Sequence, residues 1–297
     1  MDEGLNTFME YLAETTFDKN FPADRGPAAK IVPYMSGDQS NIEPIMTNSE
    51  AIKQFGNNAY GKPAAGLNIL RETIMGHELF DYAFKTYANR WKFKHPTPED
   101  FFRTMEDASA TDLDWFIRGW FYTTDYTDIG IKEVNQYYVS NDAPKDFKAP
   151  EVNRRNRRKM SGPLVYMVSS TSQDLLAENK KALNTKDIKT LDEFVQTNFK
   201  PEEIAKLASP KYFYEVTFNK PGDLVMPLIV ELTFEDGTTE NQSSPAQIWR
   251  MNDKEVSKTF ATEKIVKKIV VDPKLETADI DLTNNTWPKE MVKSKFD

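Results

Sequence analysis

The chain has 297 residues, of which 39% are hydrophobic, and this length is sufficient for two domains with buried cores. Its formal net charge of -8 and isoelectric point near 5.1 argue against a general affinity for nucleic acids. The lack of cysteine excludes disulfides and thiolate metal ligands. No apolar run approaches the roughly 20 residues of a membrane-spanning helix.

The first part of the chain, residues 1–128, has mainly helical patterns. One apolar stripe at helical spacing is formed by Leu5, Phe8, Met9 and Leu12, and the opposite polar side by Glu3, Thr7, Glu10 and Glu14. Four prolines predict an irregular loop over residues 22–48. A long helical stretch follows from Ala64 to about Arg90, with a break expected near Gly76.

Two further helices have start signals. Thr97, Pro98 and Asp100 match an N-cap, a proline in the first turn and a capping-box acid. Thr111 is predicted to cap the next helix, whose apolar face includes Phe116 and Trp120.

The middle of the chain, residues 129–205, has weaker patterns and is predicted to be a mixed connector. It contains two candidate strands at 129–139 and 163–169, and two candidate short helices at 175–183 and 190–199. A basic run at 154–159 could suggest phosphate or nucleic-acid binding. No aromatic residues alternate with these basic residues, so a solvated loop is the favoured interpretation.

The last part, residues 206–297, changes to strand-like patterns. Candidate strands are 212–218, 224–234, 246–251, 256–261 and 264–271, and Asp236-Gly237 is a hairpin signal. Short strands at this spacing predict an antiparallel β-sandwich, with 224–234 as a central strand buried on both faces. Pro227 implies a bulge or an edge register within it. The predicted fold class is therefore α+β, with a domain boundary near residue 205.

Three segments carry a resemblance to a known family. They are Asp2-Glu3-Gly4 at the start of the first helix, residues 59–66 (Ala-Tyr-Gly-Lys-Pro-Ala-Ala-Gly), and the acidic and aromatic helices from Phe101 to Trp120. In this order they resemble the gluzincin zinc aminopeptidases, the membrane alanyl aminopeptidase family. The resemblance implies that residues 1–128 are the C-terminal helical part of a thermolysin-like catalytic domain.

The resemblance assigns roles to two residues. Glu3 would be the third zinc ligand, and the Tyr60 phenol would donate a hydrogen bond to the oxyanion formed during peptide hydrolysis. We expect the two side chains to face one common cleft, roughly 5–9 Å apart, with empty space or solvent where the metal-binding helix of the family is missing. The family pattern after the tyrosine is Glu-Lys-Gly, whereas this chain has Gly61-Lys62-Pro63.

The two histidine ligands that the resemblance requires are not found in this sequence. The family takes both from an H-E-x-x-H helix, but the only histidines here are His77 and His95, eighteen positions apart. Both are interpreted as structural or exposed. The sequence therefore predicts a piece of the enzyme truncated after the H-E-x-x-H helix, which binds no zinc and is inactive alone. The complete enzyme would use zinc and a peptide substrate, and the resemblance favours an extracytoplasmic or periplasmic location.

Two other interpretations remain open. The chain could be a non-catalytic binding or scaffold module, built from a helical domain and a β-sandwich, whose peptidase chemistry has been lost. Near the C-terminus, the oxygens of Asp279, Asp281, Asn284 and Asn285 suit calcium. These side chains lack the spacing of a twelve-residue calcium loop, so turn formation is the favoured interpretation.

Overall fold

The computed structural model of the chain describes residues 1–140, 164–170 and 212–289, with the backbone alone for 138–140 and 164–170. Six α-helices and eight β-strands occur in these residues. The α+β class is thereby confirmed. No helix within the described ranges has the length and apolar character needed to cross a bilayer.

The helices lie within the first 122 residues. They are α1 (Asp2–Phe17), α2 (Ala28–Met35), α3 (Lys62–Ile69), α4 (His77–Trp91), α5 (Pro98–Ser109) and α6 (Asp114–Tyr122). Two π-helical turns, Gly56–Gly61 and Leu70–Ile74, flank α3. The predicted break occurs at Gly76, whose φ of 79° is a left-handed value that glycine adopts without strain. The predicted capping box of α5 is also present, with Thr97 and Asp100 bonding each other's backbone N–H.

Two local helix predictions are wrong. The expected loop over 22–48 contains α2, in which Pro33 lies inside the helix. Proline removes one backbone bond, but Ile31, Tyr34 and Met35 are buried on one face, and tertiary packing stabilises the short helix. Thr111 does not cap α6, because its hydroxyl donates to the Ser109 carbonyl and the helix begins only at residue 114.

The side of α1 that faces the core also differs from the prediction. Phe8 is fully buried, but Met9 is 48% exposed and Thr7 is buried. The buried face is therefore centred on Gly4, Thr7 and Phe8. The cause is the close approach of Gly4 on α1 to Pro63 at the start of α3.

The strands form two antiparallel four-stranded sheets. The first has the order β2-β1-β3-β6 and the second β5-β4-β7-β8. Their bounds are β1 (Gly130–Ser140), β2 (Leu164–Ser170), β3 (Tyr212–Asn219), β4 (Leu228–Phe234), β5 (Thr239–Ser244), β6 (Glu255–Thr262), β7 (Val266–Val271) and β8 (Thr286–Trp287). The buried cluster includes side chains from both sheets. A face-to-face sandwich stays a prediction.

Several features of the strand region differ from the sequence expectations. β1 lies in the predicted connector and pairs with β3 along its length. The sheets therefore include a strand that lies well before the predicted domain boundary near residue 205. Residues 246–249 form a 3-10 helix instead of a strand. β4 starts directly after Pro227, and its residues alternate between buried and half-buried, so it is not buried equally on both faces. The hairpin at Asp236-Gly237 joins β4 to β5 as predicted. The basic run at 154–159 and the helices at 175–183 and 190–199 lie outside the described residues.

The helical part and the sheets are joined by a short segment after α6. Thr127 forms a parallel bridge with Asp279, and the Leu224 N–H donates to the Tyr126 carbonyl. A Cβ added to Gly119 on α6 would lie 2.6 Å from Leu224 Cδ1, so the helix approaches the sheet region closely there. Asp279 and Asp281 accept backbone N–H groups near this junction, as turn-forming side chains do.

Candidate active-site residues Glu3 and Tyr60

Close packing of α1 against the π-helical turn Gly56–Gly61 and the start of α3 brings Glu3 towards Tyr60. A Cβ added to Gly4 would lie 2.5 Å from the Pro63 Cβ and 3.3 Å from the Ala59 carbonyl oxygen. Only glycine allows this approach, because any larger residue would overlap the proline ring. Glu3 precedes Gly4 in the first turn of α1, and Tyr60 lies in the π-helical turn that leads into Pro63.

The Tyr60 hydroxyl lies within hydrogen-bonding reach of the Glu3 carboxylate. This hydrogen bond is the largest cause that raises the pKa of Tyr60 above its ordinary value, followed by burial and by the negative charge of Glu3. A neutral phenol donates to the carboxylate, whereas a phenolate would be repelled by it. Tyr60 therefore stays protonated and able to donate near neutral pH.

The Tyr60 ring is held by two neighbours. The Phe55 ring meets it edge-on with the centroids 5.8 Å apart, and the Arg25 guanidinium carbon lies 5.1 Å from its centroid. The positive charge of Arg25 opposes the rise in the Tyr60 pKa. The ring thus has an aromatic and a cationic contact, while its hydroxyl points to Glu3.

A buried lysine anchors the helix that follows this turn. Lys62 is 1% exposed, and its Nζ donates to the Thr123 carbonyl at 3.2 Å, at the C-terminal end of α6. The Trp120 indole Nε1 in turn donates to the Lys62 carbonyl at 2.8 Å. Burial lowers the pKa of Lys62 to about 8, against an opposing effect of Asp125. The Tyr60 segment is therefore tied to α6 by both the side chain and the backbone of Lys62.

The polar support of the turn itself comes from Asn58. Its side-chain amide donates to the carbonyls of Glu43 and Pro44 at 2.9 and 3.0 Å. A π-helical turn carries one extra residue per turn, and such turns are often found at functional sites. The two π-turns and the burial of Lys62 are not predicted from the sequence, because their residues form no pattern distinct from that of an ordinary helix.

The structure places the Tyr60 hydroxyl next to the Glu3 carboxylate. It places the histidines elsewhere: His77 is exposed and its Nε2 lies 2.6 Å from a Glu72 carboxylate oxygen, and His95 is exposed too. His77 begins α4, and His95 follows its C-terminal end.

The residues of this chain do not fit a complete zinc site at Glu3. Zinc in a catalytic site takes three protein ligands, usually including histidine. Within residues 1–140 and 212–289, the carboxylates and imidazoles that converge closely enough to share an ion are Glu106, Asp112 and Asp114, and Glu3 is not among them. Glu3 thus offers one carboxylate ligand, and no reaction step through a metal follows from these residues alone.

Comparisons with known proteins find similarity between the helical part and peptidases of family M1. Residues 1–120 match the family described as "Peptidase family M1 domain". Probable aminopeptidase 2 of Sulfurisphaera tokodaii is 27% identical over 130 residues, which cover 40% of this chain and 16% of that protein. Probable aminopeptidase 1 of the same organism is 25% identical over 146 residues, covering 47% and 18%. The chain thus spans less than a fifth of the length of these curated relatives.

A solved structure gives a looser match. The crystal structure of Legionella pneumophila aminopeptidase A in complex with aspartic acid is 12% identical, with a TM-score of 0.48, and covers 93% of this chain and 23% of that chain.

Proposed function

We propose that this chain is the C-terminal portion of a zinc-dependent aminopeptidase of family M1, which hydrolyses peptide bonds together with residues outside this sequence. The observation that carries the proposal is the interaction between the Tyr60 hydroxyl and the Glu3 carboxylate. It occurs within residues 1–120, the part that matches the peptidase family.

In this proposal Glu3 is the carboxylate ligand of the zinc. A carboxylate is an ordinary zinc ligand beside two histidines, and Glu3 is half-buried at the start of α1. When bound, the zinc supplies Lewis-acid chemistry. The two histidines and the general base would come from an H-E-x-x-H helix outside this sequence.

Tyr60 is proposed as the donor that stabilises the negative oxygen of the transition state. Such a donor must be neutral, rigid and aimed at the developing charge. The raised pKa of Tyr60 keeps the phenol protonated, and the contacts with Phe55 and Arg25 hold the ring. In this proposal the phenol would exchange its bond to Glu3 for one to the reacting oxygen when Glu3 binds the metal.

The 297-residue chain by itself is proposed to be inactive and free of stoichiometric zinc. The reason is the ligand count: Glu3 supplies one protein ligand where three are required. Elemental analysis and an assay with leucyl-p-nitroanilide test this directly. One tightly bound zinc per chain with chelator-sensitive hydrolysis would show that the proposed inactivity is wrong.

The wider proposal is tested on the protein produced from its native gene, including any coding sequence that precedes Met1. We expect zinc and leucyl-p-nitroanilide hydrolysis in that protein. Glu3→Gln should lose the zinc. Tyr60→Phe should keep the zinc and lower kcat roughly 100- to 1,000-fold, as loss of one oxyanion donor does. The matched control is Tyr82→Phe, because Tyr82 is 61% exposed on α4.

Each alternative outcome has a defined meaning. Full activity of Tyr60→Phe would remove Tyr60 from the mechanism. Stoichiometric zinc in Glu3→Gln would remove Glu3 from the metal site. A gene without an H-E-x-x-H motif and a product without zinc would overturn the peptidase proposal and favour the non-catalytic binding module.

A further inference from the structure

A cleft lies where the start of α6 meets the 3-10 helix Ala246–Trp249. Its volume is about 300 Å³, at the small end of the range for ligand sites. It shares no residue with the Glu3 and Tyr60 site. The residues that define its chemistry are Asp112, Trp115, Val225, Gln247, Trp249 and Arg250.

The walls of the cleft are apolar and fixed. The Trp115 indole N–H donates to the Asp112 carbonyl at 3.1 Å, and the Trp249 N–H donates to the Met226 carbonyl at 3.0 Å. Because both indole donors are already used, the tryptophans can offer a ligand only their carbon faces. Trp115, which is half-buried, and Trp249, which is 2% exposed, then line the cleft with rigid apolar surface.

Two opposite charges line the same cleft without neutralising each other. Within the described ranges of the chain, neither Asp112 nor Arg250 forms an ion pair. Carboxylate oxygens of Glu106 and Asp114 lie within 4.8 Å of Asp112, so negative charge is concentrated at its end of the cleft. Arg250 is exposed and presents a planar guanidinium, a geometry suited to carboxylates.

We propose that this cleft binds a small zwitterion with an apolar side chain, either a free amino acid or a dipeptide. The ligand's ammonium group pairs with Asp112, its carboxylate pairs with Arg250, and its apolar side chain lies against Trp115, Trp249 and Val225. The small volume favours such a ligand over a long peptide. The inference does not depend on the proposed peptidase function.

The experiment follows the indole N–H resonances of the ¹⁵N-labelled 297-residue chain during titration with L-leucine and with Leu-Leu. The chain has five tryptophans, and Trp115→Phe and Trp249→Phe assign the two reporters. We expect both reporters to shift with a saturable dependence on concentration. The compound that binds more tightly identifies whether the natural ligand is an amino acid or a dipeptide.

Two chemical controls separate the charged contacts. N-acetyl and amide forms of the better ligand each lack one charge and should bind at least tenfold more weakly. Asp112→Asn should bind the free ligand about tenfold more weakly than the wild type does, and should bind the free and N-acetyl forms with equal affinity. Arg250→Gln should likewise bind the free ligand about tenfold more weakly, and should bind the free and amide forms with equal affinity. Asp107→Asn and Arg118→Gln, which remove exposed charges outside the cleft, should leave the affinity unchanged.

The proposal is overturned if neither reporter shifts at 20 mM ligand, or if the charged and blocked forms bind equally. It is also overturned if Asp112→Asn and Arg250→Gln, shown to be folded by their spectra, bind like the wild type. Glu3→Gln and Tyr60→Phe should bind normally. A loss of binding in those two variants would place the ligand at the other site and overturn the assignment to this cleft.

Discussion

At the scale of single residues, Tyr60 shows how one neighbour sets the state of a functional group. The Glu3 carboxylate is the principal cause of its raised pKa, while Asp2 has the smallest effect and Arg25 acts in the opposite direction. The donor state of the phenol therefore depends on the charge at position 3. This dependence can be measured without a metal or a substrate.

We expect Glu3→Gln to lower the pKa of Tyr60 towards its ordinary value. The amide is a weaker acceptor than the carboxylate and carries no charge. The neutral phenol is therefore stabilised less relative to the phenolate. The measurement is a pH titration of ¹³Cζ-labelled tyrosine by NMR, with the Tyr60 signal assigned from Tyr60→Phe. Glu10→Gln, on an exposed position of α1, is the control. An unchanged Tyr60 titration in Glu3→Gln would contradict the contact.

Lys62 is a second residue whose environment determines its charge. Its pKa falls from 10.5 to about 8 because the side chain is buried. Because the pKa of Lys62 is lower in the folded state than in the unfolded state, protonation of this lysine lowers the free energy of unfolding. That penalty is complete below about pH 8 and disappears as the pH rises towards 10.5.

The stability of the wild type relative to Lys62→Met should therefore rise by roughly 2–3 kcal/mol between pH 7 and pH 10. Methionine removes the ionisable group while keeping a long apolar stem, so the variant serves as the reference at each pH. Urea unfolding at both pH values gives the two free energies. Lys30→Met, at an exposed position of α2, should show no such trend. A difference that is constant with pH would show that Lys62 is not protonated at a burial cost.

At the scale of elements, the contact between α1 and the start of α3 fixes the candidate site. It depends on Gly4, which allows the helix to touch Pro63. A methyl group there must displace one of the two elements, since the proline ring cannot move independently of its backbone. Overpacking of this kind costs about 1–3 kcal/mol.

Gly4→Ala should accordingly destabilise the protein by about 1–3 kcal/mol and also lower the pKa of Tyr60. The second effect arises because α1 carries Glu3 away from the phenol. Urea unfolding and the tyrosine titration measure the two effects separately. Asn6→Ala, at an exposed position on the same helix, should change neither the free energy of unfolding nor the pKa of Tyr60 by a comparable amount. Retention of the Tyr60 pKa in a destabilised Gly4→Ala protein would mean that α1 does not set the contact.

The sequence was informative where local chemistry determines an element. The capping box at Thr97 and the break at Gly76 each depend on residues within one turn, and both were predicted. Predictions from the sequence were wrong where tertiary packing overrides local preference. The apolar face of α2 outweighs Pro33, and residues 246–249 form a 3-10 helix in which Trp249 is buried and hydrogen-bonded to Met226.

The candidate site was predictable in part for the same reason. Motifs at Glu3 and Tyr60 pointed to those two residues, and the structure brings them together. Their direct contact could not be derived from the sequence, because it depends on how closely Gly4 approaches Pro63 across 59 positions. The roles of Glu3 as a zinc ligand and of Tyr60 as a donor remain predictions.

At the scale of the whole molecule, a buried carboxylate joins the helical part to the sheets. Asp279 is 3% exposed and accepts the backbone N–H groups of Ile129 and Asp281, both at 3.0 Å. Burial raises its pKa from 3.8 to about 6, outweighing the effect of these hydrogen bonds, and the charge of Asp128 acts in the same direction. Buried carboxylates without a cationic partner are costly when ionised.

This arrangement predicts that the junction gains stability in mild acid. Because the folded pKa lies above the unfolded one, the stabilising effect is complete below pH 3.8 and is lost as the pH rises through about 6. Between pH 7 and pH 4, the wild type should gain roughly 2–3 kcal/mol relative to Asp279→Asn. The asparagine variant also loses one acceptor at every pH, but that loss does not change with pH and cancels in the comparison.

Urea unfolding at pH 4, 5.5 and 7 provides the measurement, with Asp253→Asn, an exposed position, as the control. If the wild type gained no stability relative to Asp279→Asn between pH 7 and pH 4, the pKa of Asp279 would not be raised in the folded protein, and burial would not penalise its charge.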